Sequence, residues 1–322
     1  MLPARTDLTI CFAHPAYRIQ ASLAARDPDL RGFQVGTRDA LRERLPEADV
    51  LVVSGLWSND FADTAPRLKF IQSIGAGTDQ FDRDVLRRHG IRLASAQGVN
   101  ERAVSQHAMA LILAVARRLP EARDNQAKRS WRGMISDPAG REDELTGKTL
   151  VIIGLGRIGG RLARLAKAFD MTVIGVRRDP AGGANGADSV HAIADLPGLL
   201  PQADYVALTC PLTPQTRNII DAQALALMKP DAVLVNAARG RCVDEAALIE
   251  TLQKGHLYAA ALDVTADEPL DPSSPLWAMP NVFITPHAAG ETRRYEQNVV
   301  EILRENLDRL WRGEATLRNQ IV

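Results

Sequence analysis

The chain has 322 residues, more than one small domain needs and about the length of two. Its apolar fraction of 46% and charged fraction of 24% are ordinary for a folded protein and argue against disorder. The 39 basic and 39 acidic side chains balance. We therefore expect no nucleic-acid partner, because duplex-binding proteins usually carry a basic excess.

The apolar stretches and the cysteines indicate where the protein works. The longest strongly apolar stretch, 108–116, is too short to cross a bilayer, and no signal peptide is evident at the N-terminus. The cysteines Cys11, Cys210 and Cys242 are far apart and odd in number, which argues against a disulfide framework or a cysteine-based metal site. We expect a soluble cytoplasmic protein with no membrane partner and no metal.

Short aliphatic runs alternate with longer segments of helical spacing along the chain. Strands that are apolar on both faces and alternate with helices form parallel sheets covered on both sides, so the pattern predicts an α/β protein. Nine such runs suit two sheets better than one. The predicted strands are 8–12, 49–53, 70–73, 149–153, 172–176, 205–208, 232–236, 259–263 and 282–285.

Several segments between and after these strands predict helices. Helical spacing is clear over 157–169 and 244–254, and 100–118 reads as one long, mostly apolar helix. An irregular, charged stretch, 120–147, follows it. The last helical segment, 291–312, has no strand after it, so it could return to cover the first domain.

The strongest single motif is a glycine loop between the strand 149–153 and the helix that follows. Gly154 permits a tight turn, Gly156 lets the backbone approach a pyrophosphate, and Gly159 lets the helix pack against the strand. Because the motif follows an apolar strand and opens a helix, it predicts dinucleotide binding. The predicted binding residues are Gly154, Leu155, Gly156, Arg157, Ile158 and Gly159.

The end of the next predicted strand indicates which dinucleotide is bound. An NAD site usually places an acidic residue there for the ribose hydroxyls, whereas this chain has Arg177 and Arg178. Two guanidinium groups suit a 2′-phosphate, so we favour NADP, with NAD as the alternative. In that alternative both arginines lie in solvent and Asp179 reaches the ribose.

Three further segments each follow a predicted strand and carry the candidate catalytic residues Arg239, Glu268 and His287. Each residue alone would be unremarkable, since an arginine before a glycine is often a solvated turn residue and a lone histidine is usually structural. Ligands of open α/β sheets bind at the carboxyl ends of the strands, so three such groups at one edge predict a catalytic site.

With these motifs the sequence resembles the D-isomer-specific 2-hydroxyacid dehydrogenases over nearly its whole length. Beyond the glycine loop and the three catalytic positions, the segment 73–79 looks like the substrate-carboxylate loop of that family, and 98–100 begins its long interdomain helix. The resemblance implies two doubly wound parallel-sheet domains, one flavodoxin-like and one of the Rossmann type, with the active site in the cleft between them. It implies a substrate domain of residues 1–99 and 291–322 and a nucleotide-binding domain of residues 100–290.

The resemblance also implies a role for each residue. His287 would be general acid and base, Glu268 its ionised partner, and Arg239 the group that holds the substrate carboxylate and polarises the carbonyl. Asp263 would bind the nicotinamide carboxamide. The backbone of the carboxylate loop would bind the other side of the carboxylate through Ile74, Gly75, Ala76 and Gly77. Further predicted cofactor contacts are Cys210, Pro211, Thr216, Ala237, Ala238, Ala289 and Gly290.

For some residues two interpretations stay open. Trp57 could grip the variable end of a substrate, or lie in the core or a hinge. Trp131, in the stretch that corresponds to the family's dimer interface, could anchor a homodimer or be a packing residue. The remaining histidines, His107 among them, are expected to be structural, with His14 the exception that could face the cleft.

Two functions of different classes fit the resemblance. The first is a 2-oxoacid reductase that uses NAD(P)H, such as a glyoxylate/hydroxypyruvate reductase. The second is a dinucleotide-sensing binding protein of the corepressor kind, which could retain the same three residues. The absence of disordered extensions favours the reductase over the corepressor-like protein. The ordered set of catalytic positions favours it over another Rossmann enzyme, such as a methyltransferase, which would not need that set.

Overall fold

The structure, a computed structural model, describes residues 2–322 and divides into two compact units. The first unit comprises Met1–Asn100 and Thr292–Val322, and the second comprises Glu101–Glu291. Each unit contains one parallel β-sheet with helices on its faces, which confirms the predicted α/β class with two doubly wound sheets.

Twelve strands and ten α-helices make up the two units in the described part of the chain. The strands are β1 (Thr9–Ala13), β2 (Arg31–Val35), β3 (Val50–Val53), β4 (Phe70–Ser73), β5 (Arg92–Ala94), β6 (Thr149–Ile153), β7 (Thr172–Val176), β8 (Ser189–His191), β9 (Tyr205–Leu208), β10 (Val233–Asn236), β11 (Ala259–Leu262) and β12 (Val282–Ile284). The helices are α1 (Ile19–Ala24), α2 (Arg38–Arg44), α3 (Arg83–Arg88), α4 (Glu101–Ala116), α5 (Leu119–Ala127), α6 (Arg157–Lys167), α7 (Leu196–Leu199), α8 (Ala222–Leu227), α9 (Glu245–Gln253) and α10 (Tyr295–Trp311).

The strand order places a switch point in each sheet. The first unit has the order β2-β1-β3-β4-β5, and the second has β12-β11-β10-β9-β6-β7-β8. In the second sheet the chain runs outward from β6 in one direction through β7 and β8, and in the other through β9 to β12. Ligands of such sheets bind at the carboxyl ends of the strands where the order reverses, which here is the end of β6.

Three short strands, β2, β5 and β8, were missed by the sequence pattern, and all three lie at sheet edges. The inner strands β3, β4, β9, β10 and β11 are buried at every residue, and each begins with an apolar run that the sequence pattern detects. The edge strands are only partly covered and carry polar residues such as Arg31, Arg92 and His191. A sequence search for strands that are apolar on both faces therefore does not detect these edge strands.

The last helix, α10, supplies much of the core of the first unit. Its residues Tyr295, Val299 and Leu303 are buried in the same cluster as Ile10 and Phe12 of β1. The helix is therefore an integral layer over the five-stranded sheet.

Gly159 provides a stability test of the close contact between α6 and the glycine loop. A Cβ at Gly159 would lie 2.4 Å from the backbone oxygen of Gly154 and 2.9 Å from Oγ1 of Thr209. We expect Gly159→Ala to lower the free energy of unfolding by about 2–3 kcal/mol, because backbone must move to admit the methyl group. Urea denaturation measures the change.

Gly198→Ala is the matched control. Gly198 lies in α7, and a Cβ there meets no atom within 4 Å. Alanine should leave stability unchanged or raise it by up to about 1 kcal/mol. Equal losses in the two variants would contradict the steric reading of Gly159.

Candidate active site

The carboxyl edge of the seven-stranded sheet gathers the chemically active side chains of the second unit. Arg239 follows β10, Glu268 follows β11 and His287 follows β12, each within a few residues of the strand end. These strands are neighbours in the sheet, so the three loops leave it side by side.

His287 and Glu268 form a direct pair. Nδ1 of His287 lies 2.7 Å from Oε2 of Glu268, and the backbone amide of Thr265 donates to Oε1 of the same carboxylate at 3.2 Å. An ionised carboxylate only accepts hydrogen bonds, so Nδ1 carries the proton of this contact. Nε2 of His287 has no partner within residues 2–322, and the side chain is half exposed. The ring is therefore fixed at one nitrogen and free to exchange a proton at the other.

The backbone holds Arg239 in its turn. Asn236, at the end of β10, donates through Nδ2 to the backbone oxygen of Arg239 at 3.0 Å and accepts from the amide of Ala238. One guanidinium nitrogen, Nη1, donates to the oxygen of Ala238 at 2.7 Å. The other guanidinium nitrogens have no partner in the described chain, which leaves donors for a planar carboxylate.

The loops that carry Arg239 and Glu268 touch each other. A Cβ at Gly240 would lie 1.8 Å from the backbone oxygen of Thr265, so only glycine permits this approach. The side chain of Arg241 adds hydrogen bonds to the oxygen of Ala266 and to Asp267. The two loops thus support one another directly.

Asp263, the residue after β11, holds the loop that carries His287 through hydrogen bonds. Its Oδ1 accepts from Oγ1 of Thr285 at 2.6 Å and from the amide of Ala288 at 3.0 Å, and its Oδ2 accepts from the amide of Ala289 at 3.0 Å. The residue is only 2% exposed. These bonds tie the segment on both sides of His287 to the end of β11.

The charge of Asp263 is stabilised despite its burial. Burial raises the pKa of the carboxyl group, but hydrogen bonds from His107, Thr285 and the Ala289 amide more than offset this, so the pKa lies below its usual value. Nε2 of His107, on α4, lies 3.4 Å from Oδ1 of Asp263 and 2.9 Å from Oγ1 of Thr285. The sequence predicts only a structural role for His107, whereas its side chain supports the loop of His287 through Asp263 and Thr285. The sequence of α4 carries no local signal of that contact.

The glycine loop fits a dinucleotide. Gly154 has a φ of 103°, and a Cβ there would lie 2.5 Å from the backbone nitrogen of Cys210. A Cβ at Gly156 would meet no protein atom within 4 Å, so its absence keeps the space beside the start of α6 open for a phosphate. The first amides of α6, those of Arg157 and Ile158, have no acceptor one turn earlier in the helix. These features match the requirements of a pyrophosphate.

The segment after β7 holds its two arginines differently. Nη1 of Arg177 donates to the backbone oxygen of Gly182 at 2.8 Å, which closes the loop that follows. Asp179 accepts from the amide of Ala181 at 3.0 Å. Arg178 is exposed and has no partner among residues 2–322. Among Arg177, Arg178 and Asp179, only Arg178 has a side chain without a hydrogen bond or ion pair in the described chain.

The loop after β9 places Cys210 against Cys242. Their sulfur atoms are 4.0 Å apart, and both residues are buried. The hydrogen bond to Cys242 and burial raise the pKa of the Cys210 thiol, so it stays protonated at neutral pH. Thr216 donates through Oγ1 to the oxygen of Pro211 at 2.6 Å, which closes this loop.

The first unit presents its own loop at the carboxyl end of β4. Gly75 donates its amide to Oγ of Ser73, and the hydroxyl of Tyr295 donates to the oxygen of Ile74 at 2.7 Å. The amides of Ala76 and Gly77 have no partner in the described chain. Anchored ends with two free amides are what a carboxylate-binding loop requires.

Trp57 and His14 lie near the same edge of the first sheet. Trp57 is 3% exposed, packs its ring against Phe61 and Phe81, and donates through Nε1 to Asn59, which favours the core reading left open by the sequence. His14 accepts the amides of Ala16 and Tyr17 at Nδ1. Burial lowers its pKa, partly opposed by Glu296, so the ring is a neutral Nε2–H donor.

Two absences concern the described residues alone. Within 2–322, no group of three or more histidine, cysteine or acidic side chains could hold a metal ion. Over the same range, none of the helices combines the length and apolar character that a membrane crossing needs.

Comparisons with known proteins agree with this geometry. The family model described as "D-isomer specific 2-hydroxyacid dehydrogenase, NAD binding domain" matches residues 109–289. A glyoxylate reductase of Aeropyrum pernix is 36% identical over 296 residues, which is 88% of this chain and 86% of that protein. The solved structure of the TT0316 protein from Thermus thermophilus covers 98% of this chain and 100% of its own, with a TM-score of 0.85 and 33% identity.

Other relatives are longer than this chain. A D-3-phosphoglycerate dehydrogenase of Methanocaldococcus jannaschii is 39% identical over 282 residues, which is 86% of this chain and 52% of that protein. The chain therefore spans about half the length of the first curated relatives it matches. The family match, the aligned relatives and the shared fold lead to one conclusion: this chain belongs to the D-isomer-specific 2-hydroxyacid dehydrogenases.

Proposed function

We propose that the protein is an oxidoreductase that reduces a small 2-oxoacid to the D-2-hydroxyacid, with a nicotinamide dinucleotide as the hydride donor. The observation that carries the proposal is the 2.7 Å contact between His287 and Glu268, together with the unpaired guanidinium donors of Arg239 at the end of the neighbouring strand β10. The name of the glyoxylate reductase among the relatives supports glyoxylate and hydroxypyruvate as the first substrates to test.

Each side chain has its own role in the proposed reaction. A bound dinucleotide supplies the hydride to the carbonyl carbon. His287 donates the proton on Nε2 to the carbonyl oxygen, while Glu268 holds the ring through its Nδ1. Arg239 binds the carboxylate and polarises the carbonyl. In the reverse direction the same imidazole accepts the proton.

Backbone and loop groups complete the proposed site. The free amides of Ala76 and Gly77 support the assignment of the loop 74–77 to the substrate carboxylate. Asp263 keeps its proposed contact with the nicotinamide carboxamide, for which Oδ2 retains acceptor capacity beside its single backbone partner. The remaining cofactor contacts proposed from the sequence line the ends of β6, β9, β10 and β12.

We favour NADP over NAD because Arg178 is exposed and unpaired, whereas Asp179 already accepts an amide of its own turn. A free guanidinium suits a 2′-phosphate through charge-assisted hydrogen bonds. The site of action proposed is the cytoplasm, consistent with three free and buried cysteines. We assign the first unit to the substrate and the second to the nucleotide.

We further propose that the protein is a homodimer. Trp131 is 99% exposed, Met134 is also fully exposed, and α5 has no buried residue in the single chain. Large apolar side chains left in water mark an interaction site. The segment 117–147 is the proposed interface.

The function is tested by turnover and by removal of the proton donor. The wild-type protein should oxidise NADPH with glyoxylate, hydroxypyruvate, pyruvate or phenylpyruvate, followed by absorbance. His287→Gln should lower kcat by about 10²- to 10⁴-fold, because the proton donor is lost. The exposed His256→Gln should be as active as the wild type.

Glu268→Gln separates the positioning of His287 from the proton transfer itself. Turnover should persist at a lower kcat, because the ring of His287 loses the charged acceptor that fixes its Nδ1 side. An unchanged kcat would remove Glu268 from this role. Full activity in His287→Gln would refute the proposed reaction site.

Cofactor choice is tested with Arg178→Ala. The KM for NADPH should rise at least about tenfold and the KM for NADH should change less than about twofold, because only the 2′-phosphate contact is lost. Asp179→Ala is the matched variant, and it should leave both constants unchanged. If Asp179→Ala instead raises the KM for NADH alone, the ribose reading of Asp179 is correct and NAD is the cofactor.

The dimer is tested with Trp131→Ala. Loss of a buried aromatic anchor should raise the dimer dissociation constant at least about thirtyfold, measured by sedimentation equilibrium. Trp277→Ala is the control, since Trp277 is also exposed but lies outside the segment 117–147. A dimer of equal strength in the two variants would place the interface elsewhere, and a monomeric wild type would refute the dimer.

A further inference from the structure

The outward side of α6 carries an unpaired group of arginines. Arg157, Arg161 and Arg164 are spaced four and three residues apart, so they share one face of the helix. None of their side chains has a hydrogen bond or an ion pair among residues 2–322. The helix contains no acidic residue, and its one lysine, Lys167, is already paired with Asp188. Three positive charges are therefore left without a protein counter-charge on α6.

These arginines line a cavity of about 370 Å³. The same cavity is bordered by Asn185 on one side and by Glu101, the first residue of α4, on another. Its size lies within the range of small-molecule sites.

The wall opposite α6 is built by close backbone contacts. A Cβ at Gly160 would lie 2.9 Å from Cβ and from the backbone oxygen of Asn185, so a glycine is needed for the segment to reach the helix. Asn185 has a φ of 48° and donates through Nδ2 to the oxygen of Leu155. Gly186, with a φ of 98°, packs on Cγ of Arg164. These contacts hold the cavity wall against α6.

One polar atom at the cavity is buried and unsatisfied. Nε of Arg161 is shielded from solvent and has no hydrogen-bond partner. A buried donor without an acceptor is unfavourable, and an acceptor entering the cavity would remove that cost. It is the sole buried side-chain nitrogen or oxygen left unpaired in the part of the chain that the structure describes.

The arginine face is separate from the proposed cofactor contacts of α6. The helix turns Gly159, Leu162, Ala163 and Ala166 inward, where they are buried. Arg161 and Arg164 lie on the other side, and only Gly156 and Arg157 belong to both the glycine loop and the cavity. Arg161 and Arg164 therefore lie one and two turns of α6 beyond the loop amides that are proposed for the pyrophosphate.

We propose that this cavity is a second anion site that binds a phosphate dianion, either free or as a small monoester. Arg161 and Arg164 carry two positive charges, which a dianion neutralises, while Arg157 remains assigned to the glycine loop. Guanidinium groups match the geometry of phosphate oxygens through paired hydrogen bonds. The Glu101 carboxylate can accept a hydrogen bond from a hydroxyl group of the ligand, either the P–OH group of inorganic phosphate or a free hydroxyl of an ester. The site is independent of the proposed oxidoreductase activity.

The test is calorimetric titration of the full chain with inorganic phosphate and, separately, with glycerol phosphate at fixed ionic strength. Saturable binding is expected below about 10 mM. In the double variant Arg161→Gln and Arg164→Gln the Kd should rise at least about tenfold, because two charged donors are lost while their stems remain. Tighter binding of glycerol phosphate identifies an ester site, and equal binding identifies a site for free phosphate.

Arg83→Gln is the matched control. Arg83 is exposed on α3 and its side chain has no partner in the described chain, so its loss changes the net charge of the protein without touching the cavity. It should leave the Kd unchanged. The single variant Arg164→Glu, which reverses one exposed charge, should abolish binding while thermal unfolding shows a folded protein.

Two results would overturn the proposal. One is an unchanged phosphate Kd in the double variant, which would locate the anion at the glycine loop. The other is no saturable binding of either probe by the wild type. Because the measurement needs no turnover, failure of the proposed reductase activity would leave this result readable, and the reverse also holds.

Discussion

The buried carboxylate of Asp263 is the contact on which the active edge of the second unit depends. It lies at the end of β11 and accepts hydrogen bonds from Thr285, Ala288 and Ala289, which flank His287 in sequence. A charged acceptor strengthens each of these bonds, and the low exposure of the residue keeps water from competing for them. The position of the imidazole is thus set by backbone amides that Asp263 holds, and Glu268 then fixes the rotation of the ring.

Close backbone approaches extend this arrangement to the neighbouring loops. Gly240 brings the turn of Arg239 onto the backbone of Thr265, and Gly154 brings the first turn of the cofactor loop onto Cys210. Neither approach leaves room for a side chain. The chemistry at this edge therefore depends on residues without side chains as much as on charged ones, because the glycines set the separation of the loops that carry the charges.

The sequence was informative where local pattern and chemistry coincide. The inner strands, the glycine loop and the order of Arg239, Glu268 and His287 could be read because each lies in, or directly after, a run of apolar residues. Edge strands such as β8 lack that pattern. The role of His107 depends on a partner more than a hundred and fifty residues away, and no spacing rule reports such a contact.

For other residues the sequence allows two interpretations, and only the three-dimensional surroundings decide between them. Burial of Trp57 follows from the rings of Phe61 and Phe81, which are distributed along the chain. The bond of Arg177 to Gly182 arises from a turn whose shape the sequence does not state. In the same way, the arginines of α6 look like solvated helix residues until the segment of Asn185 is seen to border the same cavity.

The long helix α10 has a consequence for how the protein is made. The core of the first unit combines β1 with residues of α10 that emerge from the ribosome almost three hundred positions later. Domains tend to fold as units during synthesis, so the second unit, whose residues are continuous, can complete its core first. Until α10 has been synthesised, the apolar face of the N-terminal strands that it covers stays exposed to solvent. We expect chaperones to bind the nascent chain mainly during this interval.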